Sequence, residues 1–296
     1  MNNYDDLLNN APVEAQQNNQ LSKEDYAAKK KAEREEVFSM SDNTALNVAG
    51  DGNKFQQYLD VQSKFDRYSA VNTLLILAQK PEATRLADFD HWKTQGAFVK
   101  PGQTSISILE PQEYTKEDGT QGVGYNIKKV FDISQVDAKK LNKTTPPPTY
   151  TDRQILSALI SKAPVKIIGV DELPGDIGAM TNPETGEISV RKGMQFADSF
   201  KSIAQELAYP EIERSKNEPS DPRFSAYCVS YILCKKYGVD TKDFNFNDAP
   251  GVFKGMEPQA IKTELTQIRD IAEDINGRMT KQLDAVSKAA KNNEAR

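Results

Sequence analysis

Three side chains in this sequence have the imidazole or thiol donors of a transition-metal site: His91, Cys228 and Cys234. A mononuclear zinc centre needs three or four donors from His, Cys and carboxylates converging on one ion. His91 stands between Asp90 and Trp92 with no second imidazole in the chain to share a site, so it reads as a surface or packing residue. The cysteines are six positions apart in a helical run, about 240° around the axis, so they cannot bridge each other and read as buried small apolar groups. Imidazole and thiolate chemistry is thereby set aside, and no cofactor is expected. Two cysteines in 296 residues also exclude a disulfide framework and point to a reducing, cytoplasmic compartment.

Charge is the next constraint. The formal net charge is −5, with 5 basic and 9 acidic residues in 1–45, 13 and 12 in 46–145, and 20 and 22 in 146–296. An acidic whole does not suit a general nucleic-acid binder, whose affinity comes largely from neutralised phosphates, so any such binding must be local to the middle segment. No run approaches the ~18 apolar residues of a membrane span, and the opening MNNYDDLLNN lacks the basic and apolar regions of a secretory signal; no membrane association is expected.

The elements that must position any site fall into an α+β pattern. Residues 1–20 hold nine Asn or Gln and read as disordered, and 22–38 as a solvated, marginal helix or linker, so 1–45 reads as a polar tail. From Lys54 the residues Phe55, Tyr58, Leu59, Phe65, Val71, Leu74 and Leu75 follow helical spacing until Pro81. A short helix at 88–95 precedes two strands, 104–109 and 123–133, joined through the turn-rich 117–122. This predicts a first domain at 46–143 in which an antiparallel sheet packs on helix. The three prolines of TTPPPT place a linker at 144–150. Beyond it the pattern predicts a helix at 152–162, strands at 165–170, 178–181 and 187–191, and helices at 196–215, 222–237 and 257–291. Leu265, Ile268, Ile271, Ile275 and Met279 form a stripe on the last helix that suits packing either on the domain or on a protein partner.

Several separated motifs occur in order across 50–137: Tyr68, Ser69 and Asn72; Trp92; Gly96, Val99 and Gly102; and Val130, Phe131, Asp132 and Gln135. This series resembles the N-terminal domain of ArdC-type antirestriction proteins and of the LtrC-like proteins of mobile elements. Where that family commonly has a basic, glycine-rich turn, this chain has AFVKPGQT with Lys100 alone. The resemblance implies single-stranded DNA binding, for which a cationic groove beside aromatic stacking faces is the usual physical route. Candidate parts are Arg67, Lys93, Lys100, Lys128 and Lys129 for phosphate, Tyr68, Trp92 and Phe98 for stacking, and Asn72 for a base edge. Trp92 suits a core anchor better than a stacking face, and Tyr68 and Asn72 also suit a capping or bracing role.

The segment after the linker resembles the zincin-like metallopeptidase domain of the same proteins, related to the ImmA/IrrE peptidases. In those, one helix carries His-Glu-x-x-His and a second helix supplies a Glu as third zinc ligand. The matching stretch here is Gln205, Glu206, Leu207, Ala208 and Tyr209, and a second helix aligned through Ala226, Tyr231, Cys234, Gly238 and Asp240 puts Tyr227 at the third position. Gln205, Tyr209 and Tyr227 thus replace the three ligands and Glu206 remains as a vestige, which implies a metal-free pseudoenzyme. Pro210 should kink or break the first helix. The expectation is a non-catalytic single-stranded DNA-binding protein of a mobile element; the alternative is a protein–protein adaptor that uses the altered cleft without binding DNA.

Overall fold

Three N-terminal helices lead the chain: α1 (Lys23–Ala49), α2 (Gly52–Lys64) and α3 (Ala70–Gln79). The computed structural model describes residues 22–116, 118–137, 148–215 and 219–294. The expected disordered stretch 1–20 and most of the proline linker lie outside these residues. Ser22 caps α1 by accepting from the Asp25 N–H.

The reading of 1–45 as a polar tail needs correction. Only the first half of α1 is solvated; Val37, Ser41, Ala45, Val48 and Ala49 are buried on one face. Small residues at helical spacing make that face close-packed but weakly hydrophobic, so composition alone understates it.

The single helix expected from Lys54 to Pro81 is two. Phe65 closes α2, and Ser69 starts α3 by accepting from the Asn72 N–H at 3.2 Å. The intervening corner exposes Arg67 and half-buries Tyr68.

Beyond Pro81 come β1 (Leu86–Ala87), α4 (Phe89–Thr94) and β2 (Phe98–Val99), then the long hairpin β3 (Ile106–Thr115) and β4 (Gln121–Asp132), then β5 (Val136–Asp137). The hairpin register runs from Ile106 opposite Val130 to Thr115 opposite Gln121. Its base is buried, while Glu110 to Thr115 are exposed. β3 is an edge strand of the order β1-β4-β3. Two amides of α3 close that edge: Asn72 donates to the Leu109 carbonyl at 2.9 Å and accepts its N–H at 2.8 Å, and Gln79 does the same with Ser107 at 2.9 Å each way. Paired side-chain amides here replace the ladder bonds of a missing strand.

The C-terminal half contains α5 (Asp152–Ile160), a three-stranded sheet of β6 (Ile167–Val170), β7 (Ala179–Thr181) and β8 (Ile188–Arg191) in the order β6-β8-β7, then α6 (Phe196–Arg214), α7 (Pro222–Tyr237), α8 (Ala249–Val252) and α9 (Pro258–Glu294). The fold is α+β. Helix α6 runs through Pro210 rather than breaking there, with Leu207, Ala208 and Ile212 on either side of it buried in the core.

The halves share one core. Phe55, Tyr58, Leu59, Ala70 and Leu74 belong to the same buried cluster as Phe200, Tyr231 and Leu265. Gly52 lies so close to the Phe246 carbonyl that a Cβ would sit 2.5 Å from its oxygen. Polar ties reinforce the join: Tyr231 donates to Asp60 at 2.8 Å, and Lys235 reaches the same carboxylate at 2.9 Å. The expected boundary at 144–150 therefore divides the sequence without dividing the core. The α9 stripe from Leu265 to Met279 is buried inside this chain, which removes it as a free surface for a partner. Among the described residues no helix is long and apolar enough to cross a membrane.

Candidate functional site

A cleft of about 890 Å³ opens between the α2–α3 corner, the base of the hairpin, the start of α4 and the side of α9. Its wall includes four of the residues expected from sequence: Arg67, Tyr68, Asn72 and Lys128. Tyr68 is held edge-on by Phe65, with ring centroids 5.6 Å apart. Two further aromatics line the cleft that sequence reasoning missed, Tyr125 from β4 and Phe38 from α1; they meet edge-to-face at 6.4 Å and stay 43% and 38% exposed. The alternation of Val123, Tyr125 and Ile127 along β4 was the available signal for Tyr125, and nothing local marked Phe38.

The cleft charge is cationic on balance, with Arg67, Lys128, Lys262 and Arg269 against Asp88 and Glu110. Most of these are already matched. Lys128 reaches Glu110 at 2.8 Å and Asp88 at 3.3 Å, and the Glu110 carboxylate first, then Asp88, hold its ammonium above the usual lysine range. Lys262 reaches Asp42 at 2.5 Å, and Arg269 reaches Asp270 at 2.7 Å. Among the described residues no carboxylate lies within ion-pair distance of the Arg67 guanidinium, which leaves it the cleft cation with the most to offer an anion. His91, also at the cleft, sits 2.6 Å from the Gln95 amide nitrogen and is exposed, as a surface residue should be.

Other candidates are placed elsewhere, and three roles are corrected. Trp92 is fully buried among Ala97 and Val136, and its Nε1 donates to the Phe131 carbonyl at 2.9 Å, so its face is closed to bases. Asn72 spends both amide groups on Leu109 and has none for a base edge. Lys129 is held by Glu33 at 2.7 Å and by the Ser107 hydroxyl at 2.8 Å, away from the cleft wall. Phe98 is 52% exposed and Lys93 is exposed, but neither lines the cleft; Lys100 donates to the Ser134 carbonyl at 3.0 Å.

In the C-terminal half, Gln205 and Tyr227 meet at a recess of about 120 Å³ beside Lys201, Ser202, Asp243 and Phe244. The Tyr227 hydroxyl accepts the Asn245 N–H at 2.9 Å, and its ring lies 4.8 Å from Phe244. Tyr209 is partly buried one helical turn from Gln205. Glu206 accepts from both the N–H and the hydroxyl of Thr181, at 2.8 and 2.6 Å, and so pins α6 to the edge strand β7. This donor set does not fit zinc. An amide oxygen is uncharged, and burial raises both phenols above their ordinary range, with the Glu206 charge adding to the rise at Tyr209. Among the described residues no three His, Cys, Asp or Glu side chains are grouped to hold a metal. Cys228 and Cys234 are free and buried, and burial pushes the Cys234 thiol up to about 12, as expected of inert packing groups.

The chain is 24% identical over 292 residues to an uncharacterized protein of Bacillus anthracis, a match covering 75% of this chain and 47% of the relative, so the chain spans about half that protein's length. Two solved structures of the antirestriction ArdC protein from R388 plasmid are similar. The Mn(II)-bound structure matches at 16% identity and TM-score 0.50, covering 72% of this chain and 85% of the other. The metal-free structure matches at 17% identity and TM-score 0.49, covering 72% and 86%. At that identity the likeness concerns the fold alone. Residues 47–147 match the family model for the N-terminal domain of anti-restriction factor ArdC.

Proposed function

We propose that this is a non-catalytic single-stranded DNA-binding protein of a mobile genetic element, whose C-terminal half is a metallopeptidase-like domain that has lost its zinc ligands. The observation that carries the reading is the cleft in which Arg67, without a carboxylate partner among the described residues, shares a wall with the partly exposed rings of Tyr68 and Tyr125. A cation for phosphate beside aromatic faces for bases is the combination that sequence-tolerant strand binding requires, with each stacked base contributing on the order of 1–3 kcal/mol. The ArdC N-terminal match supports placing this chemistry in 47–147.

The test is titration of a fluorescein-labelled oligo(dT) at about 50 mM salt, with the annealed duplex as competitor. Single strands are expected to bind more tightly than the duplex. Arg67→Ala should weaken binding roughly tenfold, as loss of one charge-assisted contact of about 1.5 kcal/mol implies, and should reduce the salt slope by about 0.7. Unchanged affinity and slope in Arg67→Ala would remove the cleft from the reading.

The metal-free part of the proposal rests on the amide and two phenols at the ligand positions and on the engagement of Glu206 with Thr181. Elemental analysis of protein purified without chelator is expected to give well under one zinc per chain. Stoichiometric zinc would contradict the reading.

A further inference from the structure

The cleft wall is not confined to the ArdC-like residues. Gln259, Lys262, Thr266 and Arg269 of α9 also line it, at spacings of three, four and three that put them on one helix face. They come from the C-terminal half, more than 100 residues past the end of the 47–147 match. Two of them are tied to the N-terminal half. Lys262 is tied to Asp42 of α1, and Arg269 donates to the carbonyl of Asp66, next to Arg67, at 2.9 Å. Lys236 of α7 holds the Asp66 carboxylate at 2.6 Å. The corner from which Arg67 projects is thus clamped by two helices of the metallopeptidase-like half.

Charge along α9 also has a direction. The face at the cleft carries Lys262 and Arg269, whereas the adjoining groove of about 560 Å³ is lined by Glu211, Asp270 and Asp274 against Arg214 and Lys262.

We infer that α9 is one wall of the DNA cleft, so that the single-strand site is composite and the C-terminal half contributes to binding without catalysis. This rests on the reading of the cleft as a single-strand site. It accounts for a metallopeptidase-like half kept in full packing contact with the ArdC-like domain.

The experiment uses the full chain with Gln259→Glu, Thr266→Glu and the double variant, each titrated with labelled oligo(dT). Gln259 is exposed near the helix start, where a carboxylate suits the dipole, and the Thr266 hydroxyl, half-buried, bonds among the described residues only the Lys262 carbonyl of its own helix, so neither change removes a bond to another element. Each is expected to weaken binding roughly threefold to tenfold through repulsion of phosphate, with the double variant weaker still. Asn247→Glu, the same charge change outside the cleft, should bind within about twofold of the parent, because screening limits a charge to about a Debye length. If the parent binds and the α9 variants match it, or if Asn247→Glu loses as much as they do, α9 is no wall and the inference fails while the single-strand reading stands. If the parent binds no oligonucleotide, both fall.

Discussion

Trp92→Ala is expected to cost about 3–5 kcal/mol of folding stability while leaving the oligonucleotide affinity of the folded fraction within about twofold of the parent. The ring is fully buried against Ala97 and Val136, with Ala87, Val99, Phe131 and Ile133 around it. Its Nε1–H is spent on the Phe131 carbonyl, and the Arg85 guanidinium lies 5.1 Å from the ring centroid, itself held by Gln95 at 2.6 Å. Truncation would open a cavity, strand a carbonyl and free an arginine from its cation–π contact at once. Urea denaturation measures the stability, and a binding curve on folded protein measures the affinity. Because this is the sole tryptophan, its fluorescence gives an independent reading: a buried indole should emit like a core residue and change little when single strands are added. Strong quenching by DNA would mean that the ring stacks on bases.

The motif residues in the 50–137 stretch turn out to be largely architectural. Ser69 caps α3, Asn72 closes the edge of β3, Gly96 and Gly102 both adopt φ +77 at turns, and Asp132 with Gln135 forms a capping box. A spaced pattern of this kind is therefore a good guide to fold, and element types came through well: α4, the hairpin, α5, α7 and all three C-terminal strands lie where periodicity and turn chemistry put them. The lining of the candidate cleft was less legible. Tyr68 was recoverable as a member of the spaced motif series and Arg67 as its neighbour, although the corner that places them was expected to be continuous helix. Lys128 and Lys129 look alike in sequence, yet alternate across β4 and meet different carboxylates.

What escaped the sequence was everything set by distant packing. Three of the five buried residues of α1 are Ser41, Ala45 and Ala49, which give too little hydrophobic contrast beside Val37 and Val48 to announce a core face. The contribution of α9 to the cleft depends on Asp42–Lys262 and Asp66–Arg269, pairings across some 200 positions that no local pattern encodes. Pro210 misled for the same reason: local propensity argues for a break, and the tertiary contacts of α6 override it.

Asp132 should give the second large effect, and one with a distinctive pH dependence. This carboxylate is 2% exposed, and three main-chain N–H groups converge on it: Thr84 at 2.7 Å and Arg85 at 3.0 Å on Oδ1, and Ser134 at 2.9 Å on Oδ2. Burial alone would raise its pKa, but the hydrogen bonds from Ser134, Arg85 and Thr84 outweigh burial and hold it below the usual carboxylate range. A group depressed in the folded state contributes stability that is fully present above its unfolded value near 4 and is lost as pH falls through the folded value. In Asp132→Asn one oxygen can still take two of the donors, but the amide NH2 must then face the third N–H, leaving a donor against a donor in a buried site. The variant is expected to be less stable at pH 7 by on the order of 3 kcal/mol. The deficit relative to the parent should shrink as pH is lowered from about 5 toward 2, because protonation takes the same interaction from the parent. Paired urea melts across that range decide the matter. A deficit that stays constant with pH would show that Asp132 acts through its shape and packing and that its charge contributes nothing to holding β1, β4 and the turn at 133–135 together.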